Sequence, residues 1–90
     1  MDILFDGDRF FSGPDPSKPL AEITFKRLNY RQLEVDHTFT DPSLRGQGIA
    51  RRLVEKVAEY ARVEGFKVSA TCPYARRVLS EEEFKDIYAA

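Results

Sequence analysis

The side chains best suited to acid–base or nucleophilic work in this 90-residue chain are His37, Cys72 and Tyr74; His37 is its only histidine and Cys72 its only cysteine. A histidine titrating near pH 6.5 can serve as a general base. A cysteine placed just before Pro73, at a possible helix start, can have its pKa lowered and its reactivity raised. A second kind of chemistry is written in "LRGQGIARRL", Leu44 to Leu53, where Gly46 and Gly48 lead into an apolar-periodic segment. The first turn of a helix leaves about four N–H groups without intrahelical partners, and the helix dipole favours an anion there. Glycines remove Cβ atoms where a phosphate must approach the backbone. Hydrogen bonds to a charged group are worth about 1.5–3 kcal/mol each, so a handful of amides could anchor a diphosphate. Arg45, Arg51 and Arg52 stand ready for charge-assisted contacts. The plainer alternative is that the glycines merely turn the loop. No Lys-Ser/Thr pair follows, so this is not a triphosphate P-loop, and Arg51 stands where the dinucleotide fingerprint needs its third glycine.

These residues must be positioned by the surrounding elements. "ILF" and "RFF" read as short strands around the turn "DGD", and residues 12–19 hold three prolines and a glycine, the mark of a loop. Residues 20–28 alternate, with Ala21, Ile23 and Phe25 on one side; residues 30–40 alternate too, with Leu33, Val35, His37 and Phe39 sharing a face. Near Asn29 the two strands should form a hairpin. The period then changes: Ile49, Leu53, Val54, Val57, Ala58 and Ala61 form one helical stripe, ended by Gly65. Residues 66–71 read as a strand, and "CPYARRVL" as a short helix with Pro73 in its first turn. Ser80 and Glu83 have capping-box spacing, which predicts a last helix over residues 81–88. Strand, helix and strand between Tyr30 and Thr71 should make a right-handed parallel crossover. That brings Thr40, Thr71 and the start of the long helix to one sheet edge, the side where ligands bind in open α/β sheets.

The bulk numbers narrow the function. Ninety residues suggest one small domain spanning 1–90, and 42% hydrophobic with 32% charged residues is a globular composition. A net charge of -1 gives no general pull toward nucleic acid or an acidic membrane surface. The N-terminal "MDILFDGDRFF" mixes acids among its apolar residues, unlike a signal peptide, and a single cysteine suits a reducing, cytoplasmic setting. No metal site is expected.

"RGQGIA", Arg45 to Ala50, matches every fixed position of the Q/R-x-x-G-x-G/A motif of the GNAT acyl-CoA N-acyltransferases, after a strand and at the start of a long amphipathic helix. The run from His37 to Leu79, with "HT" and "CPYA" around the motif, resembles the very small single-domain members of that family. The resemblance implies a minimal α/β (α+β) fold: a mixed, mostly antiparallel sheet with one parallel β-α-β crossover, a long central helix and short C-terminal helices. It further implies that acetyl-CoA or coenzyme A is bound. Its pyrophosphate would lie on the amides of Gly46, Gln47, Gly48, Ile49, Ala50 and Arg51 with Arg45 beside them, and its pantetheine arm along the backbone of Phe39 and Thr40. Larger GNAT domains have two N-terminal helices that wall the acceptor site and further C-terminal strands; here only the loop 12–19 occupies the first region.

Acyl transfer to an amine requires a neutral amine, a donor for the developing oxyanion and a departing thiolate. A lysine-like amine with a pKa of about 10.4 is almost wholly protonated at neutral pH, so a base or water relay helps. A backbone N–H near Thr40 is the family-type donor. His37 is either the base or a packed histidine, and lies about 10 Å along the strand from Thr40. Cys72 either accepts the acyl group, touches the CoA thiol, or simply packs. Tyr74 either protonates the leaving thiolate, as a tyrosine beyond this strand does in many GNAT enzymes, or packs; its offset is shorter than usual. Glu34 and Asp36 could bind a cationic acceptor or form a solvated face, and Arg76 and Arg77 could meet the CoA 3′-phosphate or be an exposed pair. The leading expectation is an acetyl-CoA-dependent N-acetyltransferase acting on an unidentified amine: a small molecule, a polyamine or a protein. The alternatives are a non-catalytic CoA-binding module and an interaction domain that has lost the ligand.

Overall fold

The computed structural model describes residues 2–89. Five strands form one sheet in chain order: β1 (Leu4–Phe5), β2 (Arg9–Ser12), β3 (Ala21–Asn29), β4 (Gln32–Thr40) and β5 (Lys67–Ala70). Neighbours are antiparallel except β4 and β5, which run parallel because helix α1 (Ile49–Glu64) crosses between them. A shorter helix, α2 (Pro73–Leu79), follows β5, and single 3-10 turns occupy Pro42–Leu44 and Glu82–Phe84. This is the expected mixed, mostly antiparallel architecture.

One sheet face carries the core. Ala21, Ile23, Phe25, Leu33, Val35 and Val68 meet the α1 stripe, of which Leu53, Val54, Val57, Ala58 and Ala61 are fully buried. The helical spacing of these residues is what lays α1 flat on the sheet, and Ala58 and Ala61 allow a close approach. From α2 and the segment beyond it, Ala75, Val78, Leu79, Phe84 and Ile87 close the same core. The other sheet face, with Glu22, Thr24, Lys26 and Glu34, stays open to solvent or half-buried.

Two expectations need correction. Alternation along residues 30–40 put His37 and Phe39 on the face of Leu33 and Val35. In the fold, Thr24 pairs with His37 but Phe25 pairs with Val35, so Asp36 is an extra residue, a β-bulge that reverses the phase of β4. Beyond it Thr38 and Thr40 lie opposite the buried Ile23 and Ala21, whereas His37 and Phe39 share the open face with Thr24 and Glu22. The second correction concerns the last helix. Ser80 closes α2 instead of opening a new helix: its N–H bonds the Arg76 and Val78 carbonyls, and its hydroxyl donates to the Arg77 carbonyl. Glu83 is turned toward Arg51, so no capping box forms and only the 3-10 turn follows. The chain then runs beside β5, with the Val68 N–H donating to the Ile87 carbonyl and the Ala89 N–H to the Val68 carbonyl.

Candidate functional site

The site begins where two strands part. β4 and β5 pair from Gln32 with Lys67 to Val35 with Ala70, and the last backbone bonds across the seam run from the Thr71 and Cys72 amides to the Val35 carbonyl. β3 continues alongside β4 to Thr40, five residues further. On that side the Asp41 N–H donates to the Leu20 carbonyl. Alternation of the antiparallel ladder therefore aims the amides of His37 and Phe39 at β3 and those of Thr38 and Thr40 at the vacated edge. The bulge at Asp36 and the departure of β5 into α2 together leave this strand edge open.

The loop after β4 carries that edge to the start of α1. The Asp41 carboxylate accepts from the Ser43 N–H (2.9 Å) and hydroxyl (2.7 Å), which fixes the turn Pro42–Leu44 and holds the carboxyl below the usual aspartate range. Gly46 and Gly48 then adopt φ of +86° and +74°, the left-handed region that side chains with a Cβ avoid, and a Cβ on either would point into empty space. Gly48 supplies no side-chain cap, and the first intrahelical bond runs from the Arg52 N–H to the Gly48 carbonyl. The Ile49, Ala50 and Arg51 amides are thus left without intrahelical acceptors at the positive end of the helix dipole.

Edge and loop line one groove of about 410 Å³, and Tyr74 belongs to its lining. Of the expected binding residues, Thr40, Arg45, Gly46, Gly48, Ile49, Ala50 and Arg51 line it; Phe39 and Gln47 do not. The Arg51 guanidinium is occupied by Glu81, Glu83 and Glu55, so that residue meets the groove without a free fork. Arg76 donates to the Ala70 carbonyl, and Arg77 lies over the Tyr74 ring at 5.4 Å.

Cys72 does not line the groove but touches Thr38, which does. Its Sγ is 3.4 Å from Thr38 Oγ1, and the backbone amides of Ala75, Tyr74 and Thr38 also approach it. Burial pushes the thiol pKa up, but the Thr38 hydroxyl and the three amides outweigh it and hold the thiol below its ordinary value. His37 is not brought to this cluster; the bulge sends it to the opposite face of β4 from Thr38. Glu34 and Asp36 also face outward, Glu34 near Lys26 at 3.6 Å and Asp36 accepting from the Thr24 hydroxyl at 2.5 Å. Thr38, which lines the groove and contacts Cys72, is the residue of this site that sequence reasoning missed. Alternation assigned it to the outer face, and only the bulge, which has no sequence mark of its own, turns it inward.

A sequence profile described as GCN5-related N-acetyl-transferase matches residues 9–87. Among curated proteins no match was found. The solution structure of a GCN5-like protein from Staphylococcus aureus superimposes with a TM-score of 0.84 at 32% identity, covering 99% of this chain and 88% of that one. A ribosomal-protein-alanine N-acetyltransferase from Brucella melitensis shares the fold at a TM-score of 0.64 and 22% identity, with 91% of this chain spanning 62% of that one. Rv2747 from Mycobacterium tuberculosis, solved in complex with CoA, shares it at 0.58 and 21% identity over 70% of this chain and 40% of its own. With the profile matching nearly the whole length and the groove built on its motif, the chain belongs to the GCN5-related N-acetyltransferase family.

Proposed function

We propose that the chain is an acetyl-CoA-dependent N-acetyltransferase. The observation that carries this reading is the continuity of the groove: the vacated edge of β4 at Thr38 and Thr40, two glycines at positive φ and the free amides of α1 line one surface. Such a surface fits a ligand with an extended amide-bearing arm and a diphosphate. The vacated edge of β4 can pair with the arm, and the loop from Arg45 to Arg51 can cradle the phosphates. The open space at Gly46 and Gly48 is where a phosphate would lie against backbone. Rv2747, solved with CoA, supports the same reading at the level of fold.

When bound, acetyl-CoA supplies an activated acetyl group and a thiolate that can leave. For this chain's own groups, the Thr40 N–H, on the groove-lining edge of β4, can polarise a carbonyl lying along it. The Tyr74 hydroxyl borders the groove and can hold or release a proton. Cys72, whose thiol pKa is held below its ordinary value, touches the groove-lining Thr38 and can act as nucleophile. The acceptor is an amine reaching an open site.

A second reading, a CoA-binding module without turnover, is favoured by one observation: the sole histidine faces away from the groove. Titration calorimetry with coenzyme A and acetyl-CoA tests both readings, and no saturable heat at millimolar ligand refutes them. Thiol release from acetyl-CoA across an amine panel separates them: release above the enzyme-free rate establishes turnover, and binding without release establishes the module.

A further inference from the structure

Arg51 sits in the first turn of α1, where the helix dipole disfavours a cation. Three carboxylates hold it there. Its Nη2 lies 2.9 Å from Glu81 Oε1, its Nε is 3.5 Å from Glu55 Oε2, Glu83 also bonds Nη2, and the Phe84 ring lies beneath the guanidinium at 5.7 Å. Arg51 lines the groove and none of these three acids does. The side chain is thus interposed between a group of negative charges and the surface where a phosphate would lie.

We propose that Arg51 is an electrostatic screen: a positioning residue that keeps the acids of Glu55, Glu81 and Glu83 from repelling an anionic ligand, without itself gripping that ligand. The inference rests on the reading of the groove as a coenzyme A site. Its physical basis is range. Charges on a protein surface act over about 8–10 Å at ordinary ionic strength, which is enough for the acids to act on the groove across one side chain. The guanidinium cancels part of that field, while Glu81 and Glu83 occupy the fork a phosphate would need. The same contacts tie the C-terminal turn Glu82–Phe84 to the start of α1.

The experiment is a calorimetric cycle with coenzyme A at low and high ionic strength, each variant being checked for folding by circular dichroism. Arg51→Met is expected to weaken binding about tenfold at low salt, and the loss should shrink to roughly twofold once salt shortens the Debye length to a few ångströms. Adding Glu81→Gln and Glu83→Gln to Arg51→Met should restore affinity to within about threefold of the natural protein, because the repelling charges are then gone. The pair Glu81→Gln with Glu83→Gln, keeping Arg51, should bind several-fold tighter than the natural protein at low salt, on the order of the surface-charge effects seen elsewhere. That pair carries the test if Arg51→Met does not fold, and an unchanged affinity in it overturns the proposal. A triple variant as weak as Arg51→Met also overturns it, by showing that the guanidinium grips the ligand. A natural protein that gives no heat with coenzyme A overturns the coenzyme A reading itself, and the screen with it.

Discussion

Thr38 Oγ1 and Cys72 Sγ stand 3.4 Å apart across the opening between β4 and β5, 34 residues distant in sequence. Neither would meet the other in a regular strand: the bulge at Asp36 turns Thr38 inward, and the end of β5 lifts Cys72 to face it. The contact stabilises the deprotonated sulfur, since a hydroxyl that donates to a thiolate favours the charged form.

Replacing Thr38 with valine should therefore raise the Cys72 pKa and slow its alkylation by iodoacetamide at neutral pH several-fold, on the order of the change in thiolate fraction. The sign follows from linkage. The folded-state pKa is depressed below the ordinary value of 9.0, so the stability it contributes is complete above that value and is lost as pH falls through the folded pKa. A rate–pH profile whose midpoint is the same in Thr38→Val and the natural protein would contradict the assignment.

Asp41 offers a second pH test. The Ser43 hydroxyl and amide hold its carboxyl below the ordinary 3.8, so the contribution is present above that value and disappears as pH falls through the lower folded value. Asp41→Ala should loosen the loop leading to Gly46 and reduce coenzyme A affinity at neutral pH by a few-fold, an effect on the order of losing one cap. Calorimetry on the variant beside its melting curve separates affinity from stability.

Gly48→Val is expected to weaken coenzyme A binding at least tenfold, about 1.4 kcal/mol or more. Valine must take a φ of +74°, which costs roughly 1–2 kcal/mol in strain, and its methyl groups enter the space left open to the ligand. Because nothing in the protein occupies that space, a cooperative melting transition should survive. Binding equal to that of the natural protein would refute the cradle.

Leu53→Ala tests the layer beneath. Leu53 is completely buried under the sheet, and its truncation should cost about 2–5 kcal/mol, measurable by urea denaturation. A loss below about 1 kcal/mol would show that α1 is not packed as described.

The elements that position the site were legible in the sequence where one periodicity ran unbroken. The stripe from Ile49 to Ala61, the glycines on either side of it and the strand before Cys72 all lie where spacing put them. What stayed hidden depends on tertiary geometry. Residues 36 to 40 alternate as well in either phase, and a bulge is a relation between two strands that neither strand records alone. Ser80 and Glu83 have the spacing of a cap, yet α2 and Arg51 compete for them and win. The glycines of the groove could be placed from sequence because they act locally; Thr38 could not, because its direction is set by the pairing of β4 with β3.

The open edge of β4 amounts to a missing rung in the ladder. A ligand whose arm runs along Thr38 and Thr40 would be, in hydrogen-bonding terms, a sixth strand without side chains, and the sheet would close on it. Binding would then be the last step of assembly as well as the first step of chemistry, so ligand should slow amide hydrogen exchange at Thr40 well before it alters α1.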